Sequence, residues 1–163
     1  MPNSKEIEAQ SYKSVSQGYV LGAGKGEQLI HFRDAGNIFI NVDLGKGSNN
    51  LALGTQQLPM GSGIPVHRHL HMDEAFYVLQ GSGTVTLNDV RHICERGGTI
   101  FIPKNTWHGF SSPDQELVLL WIMMPQGLDG FFRETCSPPG EPRKELTREQ
   151  INAIALKYGT EFR

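Results

Sequence analysis

The chain has little cysteine, no long apolar run and no block of like charge. Two cysteines, Cys94 and Cys136, cannot build a disulfide scaffold for 163 residues. Cys94 falls in a strand-like segment and Cys136 in a linker, which predicts two separate free thiols. The longest unbroken apolar run, Leu117 to Met124, is far shorter than the roughly 20 residues a membrane helix needs, so no membrane partner is expected. The opening stretch, MPNSKEIEAQSYKSV, is polar and lacks the apolar centre of a secretory signal, which leads to the expectation of a cytoplasmic protein. A formal net charge of −2 without a basic run removes the electrostatic footprint of a nucleic-acid binder. No internal repeat is visible, and the length suits one domain.

What the chain does have is turns. Nineteen glycines and nine prolines separate short β-rich segments, the composition of an all-β fold. Tyr19 to Leu21 and Gln28 to Phe32 read as strands around the turn GAGKG, which lacks the setting of a phosphate loop. His31, without a partner nearby, reads as a surface or edge residue. Ile38, Ile40, Val42 and Leu44 share one face of an alternating segment. Asn49 to Leu58, Ala75 to Gln80, Thr84 to Asn88, Val90 to Cys94 and Thr99 to Ile102 read as further strands. Asn88-Asp89 predicts a tight turn, and His92 a strand-surface position. Leu117 to Met124, apolar on both faces, predicts a central strand.

After Pro125 the character changes. Leu128 to Glu134 predicts a short helix, and SPPGEP a linker. Thr147 followed by Gln150 has the form of a capping box, with Ile151, Ile154, Ala155 and Tyr158 at helical spacing and Gly159 as a stop. The organisation predicted is an arm at 1–17, a barrel at 18–125 and a helical tail at 126–163 that packs on the barrel.

The chemistry lies between Gly61 and His108. His67 and His69 alternate on a strand and so point the same way, while Arg68 points away. Glu74 follows after a bend, with Phe76 and Val78 continuing inward, and His108 returns from a distant strand whose neighbour Trp107 faces out. Neutral imidazoles plus one carboxylate are a ligand set for a divalent first-row metal. His71 shares the parity of His67 and His69 and so can replace one of them, although a place in the bend suits it better.

These residues resemble the two motifs of the cupins. Gly61, His67, His69, Glu74 and Gly81 meet every position of the first motif, and Gly97, Pro103 and His108 fit the second. Asn105 stands where the second motif has its middle glycine, and Ser112 where it ends in asparagine. The segments IPVHRHLHMDEAFYVLQG, MPQGLDGFFRE and LTREQINAIALKYGTEF are similar to single-domain cupins of the quercetin 2,3-dioxygenase group. The resemblance implies a jelly-roll β-barrel with short C-terminal helices. It also implies one divalent transition metal per chain (iron, manganese, nickel, cobalt, copper or zinc) on His67, His69, Glu74 and His108.

The activity so implied is a metal-dependent dioxygenase acting on a flavonol-like or other enolisable aromatic small molecule. Glu74 would accept the substrate's proton, which at neutral pH needs a carboxyl whose pKa burial has raised. Phe76, Val78, Phe101, Phe110, Trp121 and Met123 are candidates to line the pocket. The alternatives are a non-catalytic metal-binding or small-molecule-sensing module, and a metal-dependent isomerase or lyase of a sugar or small acid. The latter wants several Arg or Lys side chains in the pocket, whereas the inward strand faces are short of them. The resemblance also implies a homodimer.

Overall fold

In a computed structural model, which describes residues 18–163, the alternating segments become eleven strands among the described residues. They are β1 (Glu27–Ile30), β2 (Asn37–Val42), β3 (Ala52–Leu58), β4 (Ser62–His69), β5 (Asp73–Gln80), β6 (Ser82–Leu87), β7 (Val90–Glu95), β8 (Thr99–Ile102), β9 (His108–Ser112), β10 (Leu117–Met124) and β11 (Thr160–Phe162). Helices α1 (Leu128–Thr135) and α2 (Arg148–Lys157) lie between β10 and β11. The arm proposed at 1–17 lies outside the described residues.

The strands form two antiparallel sheets, ordered β1-β2-β3-β10-β5-β8 and β11-β4-β9-β6-β7. Their apolar faces meet in one core, with Ile38, Ile40, Leu58, Leu119 and Trp121 from the first sheet and Val85 and Phe110 from the second. This is the jelly-roll arrangement. Trp121 on the central strand β10 sits directly above Gly54 on β3, its register partner. A Cβ at Gly54 would lie 2.3 Å from the indole ring and 1.9 Å from the Phe39 carbonyl oxygen. Glycine is therefore required there so that the largest core side chain can lie flat on the sheet.

The tail closes one end of the sandwich. α1 buries Leu128, Phe131, Phe132 and Thr135. α2 starts with the reciprocal Thr147–Gln150 capping box that the sequence predicts. Ile151, Ile154 and Tyr158 pack against the core around the fully buried Ala155. Gly159, at φ 67°, ends the helix, and β11 then pairs with β4. No element among the described residues is a helix long and apolar enough to cross a membrane. Cys94 and Cys136 are both buried and free.

Several expectations fail for identifiable reasons. Tyr19 to Leu21 forms no strand; β1 instead pairs with β2 across the turn at 31–36. Leu44 leaves the β2 face and is 59% exposed. The cause is Asp43, whose carboxylate accepts from the Lys46 N–H and opens a 3-10 turn at Leu44–Lys46. His31 is not at the surface but 3% exposed. Reciprocal backbone bonds between Ile30 and Ser137, at 2.7 and 3.1 Å, clamp the tail over it. β11 was not foreseen, because three residues after a helix stop carry no alternation signal.

Replacing Gly54 with Ala should destabilise the protein by about 1–3 kcal/mol, because the added methyl must displace the Trp121 ring or the β2 backbone. Urea unfolding would check this, and an unchanged midpoint would mean the two strands are not packed as described.

Candidate metal centre

His67 and His69 come from β4, His108 from β9 and Glu74 from β5 in the opposite sheet. Pairing fixes most of the geometry. His67 is the register partner of His108, after an irregularity between Ile64 and His67 that falls at Pro65. The four side chains are all buried, and one donor atom from each lies within 4.8 Å of the others.

Each imidazole is held from behind. His67 Nδ1 lies 2.8 Å from the Pro65 carbonyl oxygen and His108 Nδ1 lies 2.9 Å from that of Thr106. A carbonyl only accepts, so both Nδ1 atoms carry the proton and donate it. His69 Nδ1 meets the Thr160 hydroxyl at 2.9 Å, across 91 residues of sequence. The Nε2 atoms of His67 and His108 are thereby left as inward lone pairs, and the Thr160 hydroxyl, accepting from His69 Nδ1, offers His69 the same tautomer, the one a metal requires.

The inward atoms are short of partners. His69 Nε2, His108 Nε2 and Glu74 Oε2 are buried without a properly directed hydrogen bond among the described residues. The carboxylate oxygen nevertheless stands 3.3 Å from His69 Nε2 and 3.1 Å from His108 Nε2. Buried polar atoms that converge without bonding one another are best explained by a common cation. The donor set therefore fits a single divalent transition metal.

The electrostatics agree with a ligand role. Burial pushes the Glu74 carboxyl up, but the neighbouring His69 and His108 outweigh it and hold the group well below the usual carboxylate range. This is the opposite of the rise that a base poised at neutral pH requires. Burial, then the neighbouring His108 and His69, keep His67 well below the ordinary imidazole value.

Residues 54–124 match the family model of the cupin domain. That span is a cupin domain. A structure of KdgF from a Halomonas species superposes with a TM-score of 0.61 at 18% identity, covering 69% of this chain and 98% of that one, a likeness that shows the fold alone. Quercetin 2,3-dioxygenase of Bacillus subtilis is 25% identical over 151 residues, covering 85% of this chain and 43% of that protein. An uncharacterized protein of Methanocaldococcus jannaschii is 37% identical over 51 residues, 31% of this chain and 41% of that protein. The chain thus spans less than half the length of these two curated relatives.

Within the cupin domain the two motif departures are explained. Asn105 adopts φ 65°, the left-handed conformation that asparagine tolerates better than most residues. Ser112 is fully buried and donates to the Pro59 carbonyl at 2.9 Å, tying the end of β9 to the turn before β4. His71 sits exposed in the bend after β4, outside the ligand cluster, and His92 is exposed on β7. Trp107 lies outside the barrel under the Arg68 guanidinium, 4.7 Å from its ring centre.

Beside the cluster lies a narrow cavity of about 40 Å³. Phe76, Trp121 and Met123 line it as predicted; Val78 and Phe110 belong to the core beyond it, and Phe101 faces out at 57% exposure. The remaining wall comes from segments with no motif. α1 supplies Leu128, Phe131 and Phe132, and the turn after β1 supplies His31 and Arg33. Among the described residues the inward strand faces supply no Arg or Lys to the cavity, and its one cation, Arg33, comes from a turn instead. Thr160 and Phe162 on β11 lie beyond the matched cupin span, so the tail completes this centre.

Thr160→Val should lower metal affinity by about 10–100-fold with little loss of stability, because it removes only the partner that orients His69. Competition with a chromogenic chelator would measure this; unchanged affinity would remove Thr160 from the site. The pH dependence follows from His67 and from His31, which burial also holds low. Unfolded imidazoles bind protons near 6.5 while the folded ones resist, so the unfolded state gains protons first as pH falls. Metal-free protein should lose stability as pH drops below about 6.5, the loss ending only where the folded histidines protonate. Urea midpoints that stay flat across this range would contradict the burial of both groups.

Proposed function

We propose that the protein is a mononuclear metal-dependent dioxygenase acting on an enolisable small molecule, with chemistry like that of quercetinases. The carrying observation is the convergence of three outward-tethered imidazoles and one carboxylate on a narrow, largely aromatic cavity. A divalent metal held by His67, His69, Glu74 and His108 would supply Lewis acidity, lowering the pKa of an enol or phenol oxygen brought to it, and an open position for dioxygen. The chain's own residues do the rest. Phe76, Phe131, Phe132 and Trp121 exclude water. Glu74 is the only carboxylate among the described residues lining the cavity, so it is the acceptor we assign to the substrate's acidic proton.

The cavity as it stands has room for a water or a diatomic molecule, not for an aromatic substrate. Phe32, Arg33 and Phe162 separate it from a larger open basin and line both spaces. Turnover of a flavonol-sized molecule therefore requires this wall to move. A second reading is an isomerase or lyase of a small acid, which the polar Arg33 and Gln56 in the cavity favour.

Oxygen uptake separates the two. Protein loaded with iron, manganese, nickel, cobalt or copper in turn should consume oxygen when given quercetin or a simple β-diketone. His69→Ala should bind no metal and consume none. Glu74→Gln should retain part of the metal and lose turnover by about 100-fold or more, the range of a missing acid–base group. Absence of uptake with every metal, together with anaerobic conversion of a small acid, would overturn the dioxygenase in favour of the second reading.

A further inference from the structure

The open basin outside the wall has a volume of about 850 Å³, the size of a small-molecule site. Its charge is one-sided. Arg33, Arg143, Lys144, Arg148 and Arg163 line it against a single acid, Glu145. Not all five cations are free. Arg163 pairs with Asp89 at 2.8 Å, and the Lys144 ammonium donates to the backbone carbonyls of Arg133 and Glu134 at 3.1 and 2.9 Å. Arg143 and Arg148 make no ion pair among the described residues, and Arg143 only donates to the Arg33 carbonyl at 3.5 Å. They therefore present full charges to the basin.

Arg33 is different from the rest. It lines both the basin and the cavity beside the four clustered donors. Its Nε is buried without a hydrogen-bond partner among the described residues, and its Nη2 only grazes Asp34 at 3.5 Å. A guanidinium with an unused donor on its fork is arranged for a planar oxyanion, which it binds bidentately. Around it the basin is apolar, with Phe32, Phe162, Ile151, Leu146, Pro65 and Pro142. An apolar body and an acidic head together describe the complementary ligand.

We propose that the basin is the substrate's outer site and that it selects an organic carboxylate, whose acid group is held by Arg33 while Arg143 and Arg148 draw it in. Among the enolisable molecules the proposed dioxygenase would accept, the favoured class is then an enolisable or phenolic acid. This deepening rests on the function proposed above, but the anion site itself stands on residues that hold no metal. Its walls are β4, the turn after β1, the 142–152 segment and β11, so it is formed by the same tail that orients His69.

The test uses benzoate as the probe and uncharged benzyl alcohol as its isostere, titrated calorimetrically into metal-loaded and metal-free protein. Benzoate should bind at least about 10-fold more tightly than benzyl alcohol, as a charge-assisted fork requires. Arg33→Met should erase that preference and Arg33→Lys should restore part of it. The double variant Arg143→Ala/Arg148→Ala should weaken benzoate mainly at low salt, because exposed cations act through a screened field. If Arg33→Met fails to fold, the double variant and the benzyl alcohol comparison still decide. Equal binding of the two probes, or benzoate binding that survives Arg33→Met, would overturn the proposal. Binding to metal-free protein with no metal uptake afterwards would leave the anion site standing and sink the metal centre instead.

Discussion

The hydrogen bonds behind three imidazoles govern the rest of this structure. The Pro65 and Thr106 carbonyls accept from His67 and His108, the Thr160 hydroxyl bonds His69 Nδ1, and all three bonds aim an Nε2 atom toward one point. The arrangement is costly for the polypeptide alone. Each buried polar atom left without a partner costs about 1–3 kcal/mol, and three such atoms face each other here. Packing of two apolar sheets and the aromatic cap of α1 must hold them in place. A cation bound there would remove the penalty, which would link metal affinity to fold stability.

The centre draws on both sheets and on both ends of the chain. β4 and β9 bring the histidines together by register, and β5 brings Glu74 across from the other sheet. β11, the last strand, pairs Thr160 with His69 and Phe162 with His67. The helical tail is therefore part of the site, and the closed wall of Phe32, Arg33 and Phe162 joins the turn after β1 to that tail. A single movement of this wall would connect the basin with the cavity beside the four donors. Under the proposed function, recognition of the acid would then be separated in space from the site of reaction.

The ligand residues were legible in the sequence because local rules suffice for them. Parity puts His67 and His69 on one face, the bend admits Glu74, and Asn105 announces its left-handed turn. The capping box of α2 was readable for the same reason. His31, Arg33 and Thr160 were not readable, since what buries or orients them lies far along the chain: Ser137 for the turn after β1, His69 for Thr160. Phe101 illustrates a parity error. Pairing with β5 sets Ile102 opposite Glu74 and Ile100 opposite Phe76, which sends Phe101 outward. Leu44 fell off its face because Asp43 preferred to cap a turn and bond Arg133 than to continue the strand.

The most direct test of the account is the coordination shell itself. Protein loaded with cobalt or nickel should give an X-ray absorption spectrum with about three imidazole nitrogens and one carboxylate oxygen at roughly 2.0–2.2 Å, completed by water. One imidazole should vanish from that shell in His108→Ala. A shell of oxygen alone, or one that His108→Ala leaves unchanged, would show that metal binds elsewhere and that the four converging side chains are not its ligands.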